Sequence, residues 1–468
     1  MLHSFTIRRG SWKDMFIERR LEYIPEGSDR LGMLILVTLM NVMGTFAIQV
    51  GPIAALIIQS QGFTLASYGA IIAIVSLAVS LSNFAGAQLA DRFPRTRLFL
   101  WGMIPAIICH FIMAVMPDNL PVVWVVLYVA FMFTEGWALV VLTPLARDFT
   151  PRSSRAGGLG IYQVGNNLSA VLALLLTGLL LQPLGNVWQR MFFAYGIIAL
   201  ALFILGVLFI REPSAGLKAQ IIHSDEAARH AREVARVIEA QGIKIAGFWK
   251  FVKSGGAALY AVAFGQALLL IGYITFNSYG TVYAIQFLGM TPANAATLNS
   301  TYFAGVVVFL VLGGLAADWL RLKKACAFIG TIGAGLSLTA LFLFKADTDP
   351  LVVALDYFIG GAMVGIMWGP AQALFSESAE NVSTTRVATG FAILRFCTAV
   401  VYSAWTFLLP ILVGAYQWPV VMVIAGALGV IGGFGFLFAP GRTWARESLR
   451  RPSIRQSADD VPQPAVAS

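Results

Sequence analysis

The stretch Gly86-Ala-Gln-Leu-Ala-Asp91-Arg92-Phe-Pro-Arg95-Thr-Arg97 decides the fold, because one acidic residue and three arginines here interrupt a strongly apolar region. A second, weaker copy reads Gly314-Leu-Ala-Ala-Asp318-Trp-Leu-Arg321-Leu-Lys323-Lys324. Two further pairs are separated by almost the same length of chain as the two aspartates: Arg155 with Arg386, and Trp188 with Trp418. This near-constant offset predicts two related halves.

Long apolar runs surround both copies. Of the 468 residues, 58% are hydrophobic and 12% are charged, and the mean hydropathy is +0.78. A soluble chain carries about 25% charged residues. This composition excludes a soluble enzyme, a nucleic-acid-binding protein and a secreted disulfide-linked protein. The three cysteines all lie inside apolar runs, where they imply no disulfide framework: Cys109, Cys326 and Cys397.

Apolar runs long enough to cross a bilayer, about 20 residues at about 1.5 Å each, occur twelve times. They predict an all-α membrane protein with twelve transmembrane helices in two pseudo-symmetric six-helix bundles. We number these runs span 1 to span 12: 32–58, 66–90, 97–116, 121–145, 155–182, 189–211, 257–286, 294–317, 324–344, 351–375, 384–413 and 419–440.

Five segments follow from this division. They are a cytoplasmic N-terminal segment, an N-terminal bundle (the N-half), a cytoplasmic linker, a C-terminal bundle (the C-half) and a disordered cytoplasmic tail, at 1–31, 32–211, 212–256, 257–440 and 441–468.

The distribution of Lys and Arg predicts the orientation. Of the 32 such residues, 29 fall on the side of the chain termini, and only Arg190 and Lys345 fall on the other side. Cytoplasmic loops carry the excess of positive charge in membrane proteins. We therefore expect a multi-pass protein of the plasma (inner) membrane with both termini cytoplasmic. The net charge of +9 reflects this orientation, and the lipid bilayer rather than nucleic acid is the expected partner.

The repeated stretch resembles the signature of the major facilitator superfamily, which reads roughly Gly-x-Leu-Ala-Asp-Arg-x-Gly-Arg-Arg between helices 2 and 3. The matching residues are Gly86, Ala90, Asp91, Arg92, Arg95 and Arg97. The resemblance implies the twelve-helix fold and a gate in which Asp91 faces the start of span 11 near Ser383 and Thr384. Asp318 and Arg321 of the second copy would act likewise near Arg155. A carboxylate at a helix N-terminus is stabilised by the helix dipole, so each contact can hold the cytoplasmic side closed.

Ionisable residues inside spans are costly and point to function. Glu135 in span 4 and Arg395 in span 11 lie deep, whereas Asp356 in span 10 lies near the external end. Glu135-Gly136 and the following residues 145–155 resemble the anion:cation symporter family, in which the glutamate of helix 4 takes part in proton coupling. The arginine that this family carries seven residues earlier is Tyr128 here. Arg395 needs a partner, either the solute or a protein group that makes it a brace between helices.

Uncharged polar residues recur on single helix faces and are candidate substrate contacts. By the resemblance, spans 1, 4, 7 and 10 line a central cavity, although such stripes can also join packed helices. The stripes are Asn41, Thr45 and Gln49 in span 1, Gln266, Tyr273, Asn277 and Thr281 in span 7, and Arg395, Thr398 and Tyr402 in span 11.

These patterns favour a secondary active transporter that moves a small organic solute by alternating access, with proton-coupled symport and Glu135 as the proton carrier. No nucleophile–base set, metal cluster or phosphate loop occurs, so we expect no enzyme and no cofactor. Two alternatives remain. One is proton-coupled efflux of amphipathic compounds, which is disfavoured because span 5 lacks the Gly-Pro pattern of drug–proton antiporters. The other is a receptor or scaffold that transports nothing.

Asp91→Asn should leave the fold intact and loosen closure of the cytoplasmic side, because it removes a charge beside a helix dipole. Cysteine accessibility at the cytoplasmic ends of spans 2 and 11 measures this closure. Unchanged accessibility would show that Asp91 has no gating role.

Overall fold

The computed structural model describes residues 20–21, 27–47, 49–90, 93–142, 145–146, 149, 155–214, 256–382, 387–439 and 443–444. Asp91 and Arg92 of the first gating stretch lie outside these ranges, as do Ser383 and Thr384, nearly all of the predicted linker and most of the predicted terminal segments. The side chains of Arg155 and Asp318 also lie outside the description.

Six spans form the N-half. The first is interrupted and consists of Gly27–Ala47, a 3-10 turn at Gly51–Ile53 and a short helix, Ala54–Ser60. Spans 2 to 6 are Leu65–Ala90, Arg95–Val115, Pro121–Val140, Arg155–Leu180 and Trp188–Phe209.

The C-half follows the same order. Span 7 comprises the helix Ala257–Ile274, a π-helical segment at Thr275–Tyr279 and the helix Gly280–Gln286. Spans 8 to 10 are Pro292–Leu320, Lys323–Ala340 and Pro350–Val382, and one continuous helical run, Val387–Gly435, contains spans 11 and 12. Short 3-10 turns occupy Leu341–Leu343 and Phe436–Phe438.

Spans 11 and 12 follow each other within this last helical run. In the described residues, eleven helices are long and apolar enough to cross a membrane, and the last of them runs for 45 residues, Leu394–Phe438. At about 1.5 Å per residue this is about 68 Å, twice the thickness of the hydrocarbon core. Gln417, with φ 68° and ψ 161°, breaks the helix just before Pro419. The chain reverses there, which confirms the twelve predicted spans.

The helix boundaries repeat between the halves. Span 2 begins at Leu65 and span 8 at Pro292, and almost the same offset separates Pro121, where span 4 begins, from Pro350, where span 10 begins. Trp188 at the start of span 6 and Trp418 at the start of span 12 are separated by almost the same offset. The predicted pseudo-symmetric halves are therefore confirmed. We call the side where span 1 begins and span 12 ends the terminal side, and the other the opposite side.

A small parallel sheet fastens the start of the linker on the terminal side. Strand β1 (Arg20–Leu21) pairs with strand β2 (Glu212–Pro213). The buried Glu212 carboxylate accepts a hydrogen bond from the backbone N–H of Arg95 at 3.1 Å, at the first residue of span 3. An acidic group at a helix N-terminus satisfies a free N–H and complements the helix dipole. Span 6 is thus tied to the end of the first gating stretch.

Spans 8 and 10 pack closely because Gly361 on span 10 has no side chain to keep the backbone of span 8 away. A Cβ atom at Gly361 would overlap the backbone carbonyl of Tyr302. At Gly414, near the end of span 11, a Cβ atom would meet nothing within 4 Å.

Gly361→Ala should therefore destabilise the protein by about 1–3 kcal/mol, the usual cost of overpacking a core. Gly414→Ala is the matched control and should be neutral or slightly stabilising, because alanine is the better helix former. Thermal unfolding of both purified variants measures the difference. Equal melting temperatures would contradict the close approach of spans 8 and 10.

Candidate functional site: the cleft between the halves

Several contacts between the two halves lie towards the opposite side. Between spans 2 and 11, a Cβ atom at Gly69 would lie 2.6 Å from the carbonyl oxygen of Thr406 and 2.6 Å from Pro410 Cγ. Between spans 1 and 7, the Thr281 hydroxyl donates to the Gly51 carbonyl at 2.6 Å. Between spans 5 and 8, Gly178 packs against Thr297.

The halves diverge towards the terminal side, as span 11 shows. An α-helix turns about 100° per residue, so Thr406, Tyr402 and Arg395 share one face of this span. Thr406 is buried, Tyr402 is half-buried and Arg395 is exposed. Phe396, which is 70% exposed, points about 100° away from Arg395. Arg395 therefore faces the cleft between the halves rather than the outer surface of the bundle.

The π-helical segment of span 7 lies at the closed end of this cleft, where several polar groups meet. A π-turn departs from the regular hydrogen-bond ladder and is frequent at functional sites. The side-chain amide of Asn299 donates to the Phe276 carbonyl at 2.9 Å, and the Trp405 indole donates to the Thr275 hydroxyl at 2.9 Å. These bonds satisfy polar groups of the segment in a region without water.

The segment also meets Tyr402. The hydroxyls of Ser278 and Tyr402 lie 3.2 Å apart, and the Asn277 side chain lies near the same tyrosine. The Tyr279 hydroxyl donates to the Thr406 carbonyl at 2.7 Å. Spans 7 and 11 are therefore joined by a polar contact beside the junction of spans 2 and 11.

Glu135 lies inside the N-half, closer to the terminal side than this contact. It is 2% exposed, and its Oε1 atom has no hydrogen-bond partner among the described residues. Tyr128, seven residues earlier, shares its helix face. Tyr128 is itself buried, and its ring packs against Trp124 of the same helix. Glu135 and Arg395 form no ion pair with each other.

The stripe of span 1 turns towards span 5 rather than the C-half. The Asn41 amide donates to the Tyr162 carbonyl at 3.1 Å, and Thr45 donates to the Asn41 carbonyl of its own helix at 2.6 Å. The Gln49 amide contacts the Ser169 hydroxyl at 3.4 Å. In this conformation Asn41 and Gln49 join span 1 to span 5 of the N-half, and Thr45 bonds within its own helix.

The polar stripe of span 7 is partly in contact with the N-half and partly buried inside the C-half. The Tyr273 hydroxyl donates across the halves to Asn167 Oδ1 at 3.2 Å, and Thr281 and Asn277 lie at the junctions described above. Gln266 is buried, and its Oε1 atom has no partner in the described part of the chain. In span 11, the Thr398 hydroxyl donates to the Arg395 carbonyl at 2.9 Å.

The residues that the sequence predicts to form the gate are described only in part. Gly86 packs against the backbone of Trp137 in span 4, where a Cβ atom would lie 2.8 Å from Trp137 Cα. Arg97 is exposed, and Arg95 begins span 3 beside Glu212. Arg321 is exposed and ends span 8 in a left-handed conformation with φ 57°.

The site contains residues that were not predicted, among them Tyr68, Ser278 and Asn299. Ser278 follows Asn277 and points about 100° away from it on a regular helix, so the stripe that contains Asn277 does not include it. Asn299 stands in the polar run Asn299-Ser300-Thr301 of span 8, and Tyr68 follows Ser67 near the start of span 2. No sequence signal distinguishes them from residues that only pack.

This arrangement defines a membrane protein of two six-helix halves around a cleft closed at one side, the architecture of alternating-access transporters. The family model of the Major Facilitator Superfamily matches residues 34–392. The chain belongs to this superfamily, which confirms the resemblance of the gating stretch and identifies the protein as a transporter rather than an enzyme.

The chain is similar to several individual transporters. It is 23% identical over 358 residues to the glycerol-3-phosphate transporter of Bacillus subtilis (strain 168), covering 71% of this chain and 76% of that one. The partially occluded inward-open structure of the xylose transporter XylE from E. coli gives a TM-score of 0.66 at 15% identity, covering 89% and 100% of the two chains. A bacterial homologue of the human lysosomal transporter Spinster gives 0.62 at 17% identity, covering 87% and 94%. At these identities the structural matches show the shared fold.

Arg395→Gln should leave the stability of the solute-free protein within about 0.5 kcal/mol, as for most exposed substitutions. The reason is that the Arg395 guanidinium makes no ion pair or side-chain hydrogen bond among the described residues. Thermal unfolding without solute measures this. A loss of many degrees would identify Arg395 as a brace between helices.

Proposed function

We propose that the protein takes up a small organic solute by proton-coupled symport. The observation that supports this most is Glu135, a buried carboxyl whose Oε1 atom has no hydrogen-bond partner among the described residues. Desolvation disfavours the ionised form of a carboxyl group. Glu135 would hold a proton while buried and release it when a conformational change brings water or a cation close.

The charge of Glu135 would influence the solute through the interior of the protein. Glu135 is buried, and a charge in a low-dielectric interior is screened far less than a charge in water. Tyr402 lies two turns from Arg395 on the same helix face. A change of charge at Glu135 would therefore act on the face of span 11 that borders the cleft.

Arg395 and its neighbours Thr398 and Tyr402 are the proposed solute contacts. A guanidinium inside a membrane protein needs a counter-charge, and no protein group of the described chain supplies one. A carboxylate or phosphate of the solute would do so. The similarity to a glycerol-3-phosphate transporter agrees with an anionic solute, and a D-xylose-proton symporter among the structural matches agrees with proton coupling.

The proposed topology places the terminal side in the cytoplasm of the cell, at its plasma (inner) membrane. The excess of Lys and Arg on that side, 29 against 2, supports it through the positive-inside rule. The cleft that exposes Arg395 would then open to the cytoplasm, and the junctions at Gly69, Gly51 and Gly178 would form the closed external side.

Glu135→Gln, which mimics the protonated carboxyl, should abolish proton-driven accumulation of solute while sparing exchange of solute across the membrane. The measurement is uptake into proteoliposomes with and without a pH gradient, with glycerol 3-phosphate and xylose as first candidate solutes. Asp356→Asn, the other intramembrane carboxyl discussed above, is the control and should retain proton-driven uptake. Unaltered pH dependence in Glu135→Gln would exclude Glu135 from coupling.

A further inference from the structure

Span 2 presents an unassigned polar face to the cleft. Ser76, Ser80 and Asn83 follow Gly69 at intervals of seven, four and three positions, so all lie within about 40° of the face on which Gly69 meets span 11. All three are half-buried. Leu77 and Leu81, which are 51% and 68% exposed, point at least about 80° away. The polar residues therefore continue the inter-half face of span 2 towards the terminal side.

This face lies level with Arg395. Spans 2 and 11 run in opposite directions, and they touch where Gly69 meets Thr406. Ser80 lies eleven residues after Gly69, and Arg395 lies eleven residues before Thr406. Each is thus about 16 Å from the junction towards the terminal side. Ser80 and Arg395 occupy the same depth on the two walls of the cleft.

The polar groups of this face are able to bind a new acceptor. The Ser76 hydroxyl donates to the Ile72 carbonyl at 2.7 Å, and the Ser80 hydroxyl donates to the Ser76 carbonyl at 2.9 Å. These are bonds within one helix to carbonyls of the regular ladder, so rotation of the hydroxyl leaves no buried carbonyl without a donor. The Asn83 amide adds two N–H donors.

The charge of the two walls suits an anion. Span 2, residues 65–90, contains no charged side chain, so nothing on this wall repels a carboxylate or phosphate. Arg395 on the other wall presents planar N–H donors that match the geometry of an oxyanion. Hydroxyl and amide donors then complete the hydrogen bonds of an oxyanion that has several acceptor atoms.

We propose that Ser76, Ser80 and Asn83 form the second wall of an oxyanion subsite whose first wall is Arg395. The subsite binds the phosphate or carboxylate group of a small soluble solute between spans 2 and 11. This inference rests on the proposed role of Arg395 and adds residues of the N-half to it. Because the ligand touches both halves, its binding draws the terminal side together.

The test is a binding titration on the purified full-length protein with glycerol 3-phosphate and inorganic phosphate, and with glycerol as the uncharged counterpart. Ser76→Ala combined with Ser80→Ala should weaken binding of the phosphates tenfold or more, since hydrogen bonds to charged groups are strong. The melting temperature of the solute-free protein should stay nearly unchanged. Ser82→Ala is the matched control, because Ser82 donates to the Phe133 carbonyl of span 4 and should not alter affinity.

A charge exchange provides the second test. Arg395→Ser alone should lose phosphate binding, and adding Ser80→Arg should restore part of it if the two positions face each other. Ser80→Cys should in addition react with a charged thiol reagent from the terminal side and be protected by glycerol 3-phosphate. An exchange variant that folds but does not regain binding would overturn the two-walled site.

The outcomes separate this inference from the proposed function. If no phosphate or carboxylate compound binds the unchanged protein, the anionic solute itself is wrong. If the phosphates bind and Arg395→Gln abolishes binding while the double serine variant binds normally, only the second wall is wrong. Stabilisation by phosphatidylglycerol but by no soluble phosphate would overturn a solute site.

Discussion

The junction of Gly69, Thr406 and Tyr279 determines how the two halves meet. The missing side chain at Gly69 lets span 2 approach the Thr406 carbonyl, and that same carbonyl accepts the Tyr279 hydroxyl at 2.7 Å. One backbone oxygen of span 11 is therefore shared between the N-half and span 7. Because the helices are fixed together there, any divergence between the halves must open at the other end. The exposure of Arg395, three turns away, is the direct consequence.

The spans could be predicted from sequence because their cause is simple. A backbone surrounded by lipid must satisfy its own hydrogen bonds, so an apolar run of sufficient length becomes a helix. The duplicated gating stretch and the constant offset also needed no structure. The reversal at Gln417 lies where the sequence predicts the short connection between spans 11 and 12, although helical hydrogen bonding continues almost unbroken across it.

The candidate site was less predictable because periodicity specifies a helix face but not what that face contacts. Asn41 and Gln49 share a face, as expected, but it packs on span 5. Ser278, which lies outside the stripe of span 7, is the residue whose hydroxyl meets Tyr402. The exposure of Arg395 depends on the angle between the halves, which no local pattern encodes.

The repeat keeps the scaffold of the site but not its charges. When spans 4 and 10 are aligned at their first residues, Tyr128 corresponds to Tyr357 and Glu135 to Val364. Both tyrosines are buried among aromatic rings, so the aromatic support is common to the halves. At this aligned position the carboxyl is present in the N-half and absent from the C-half, whereas the deep cation, Arg395, lies in the C-half. On the proposed function, proton and solute are therefore bound by different halves.

This separation of charges gives a physical basis for coupling. Closing the terminal side would bury Arg395, and a buried charge without a partner is strongly unfavourable. An ionised Glu135 in the dry interior of the N-half carries a similar cost. On the proposed function, an anionic solute removes the first cost and a proton removes the second, so closure over a loaded site is favourable only when both are bound. The occupancy of one site would thereby alter the cost of closing over the other.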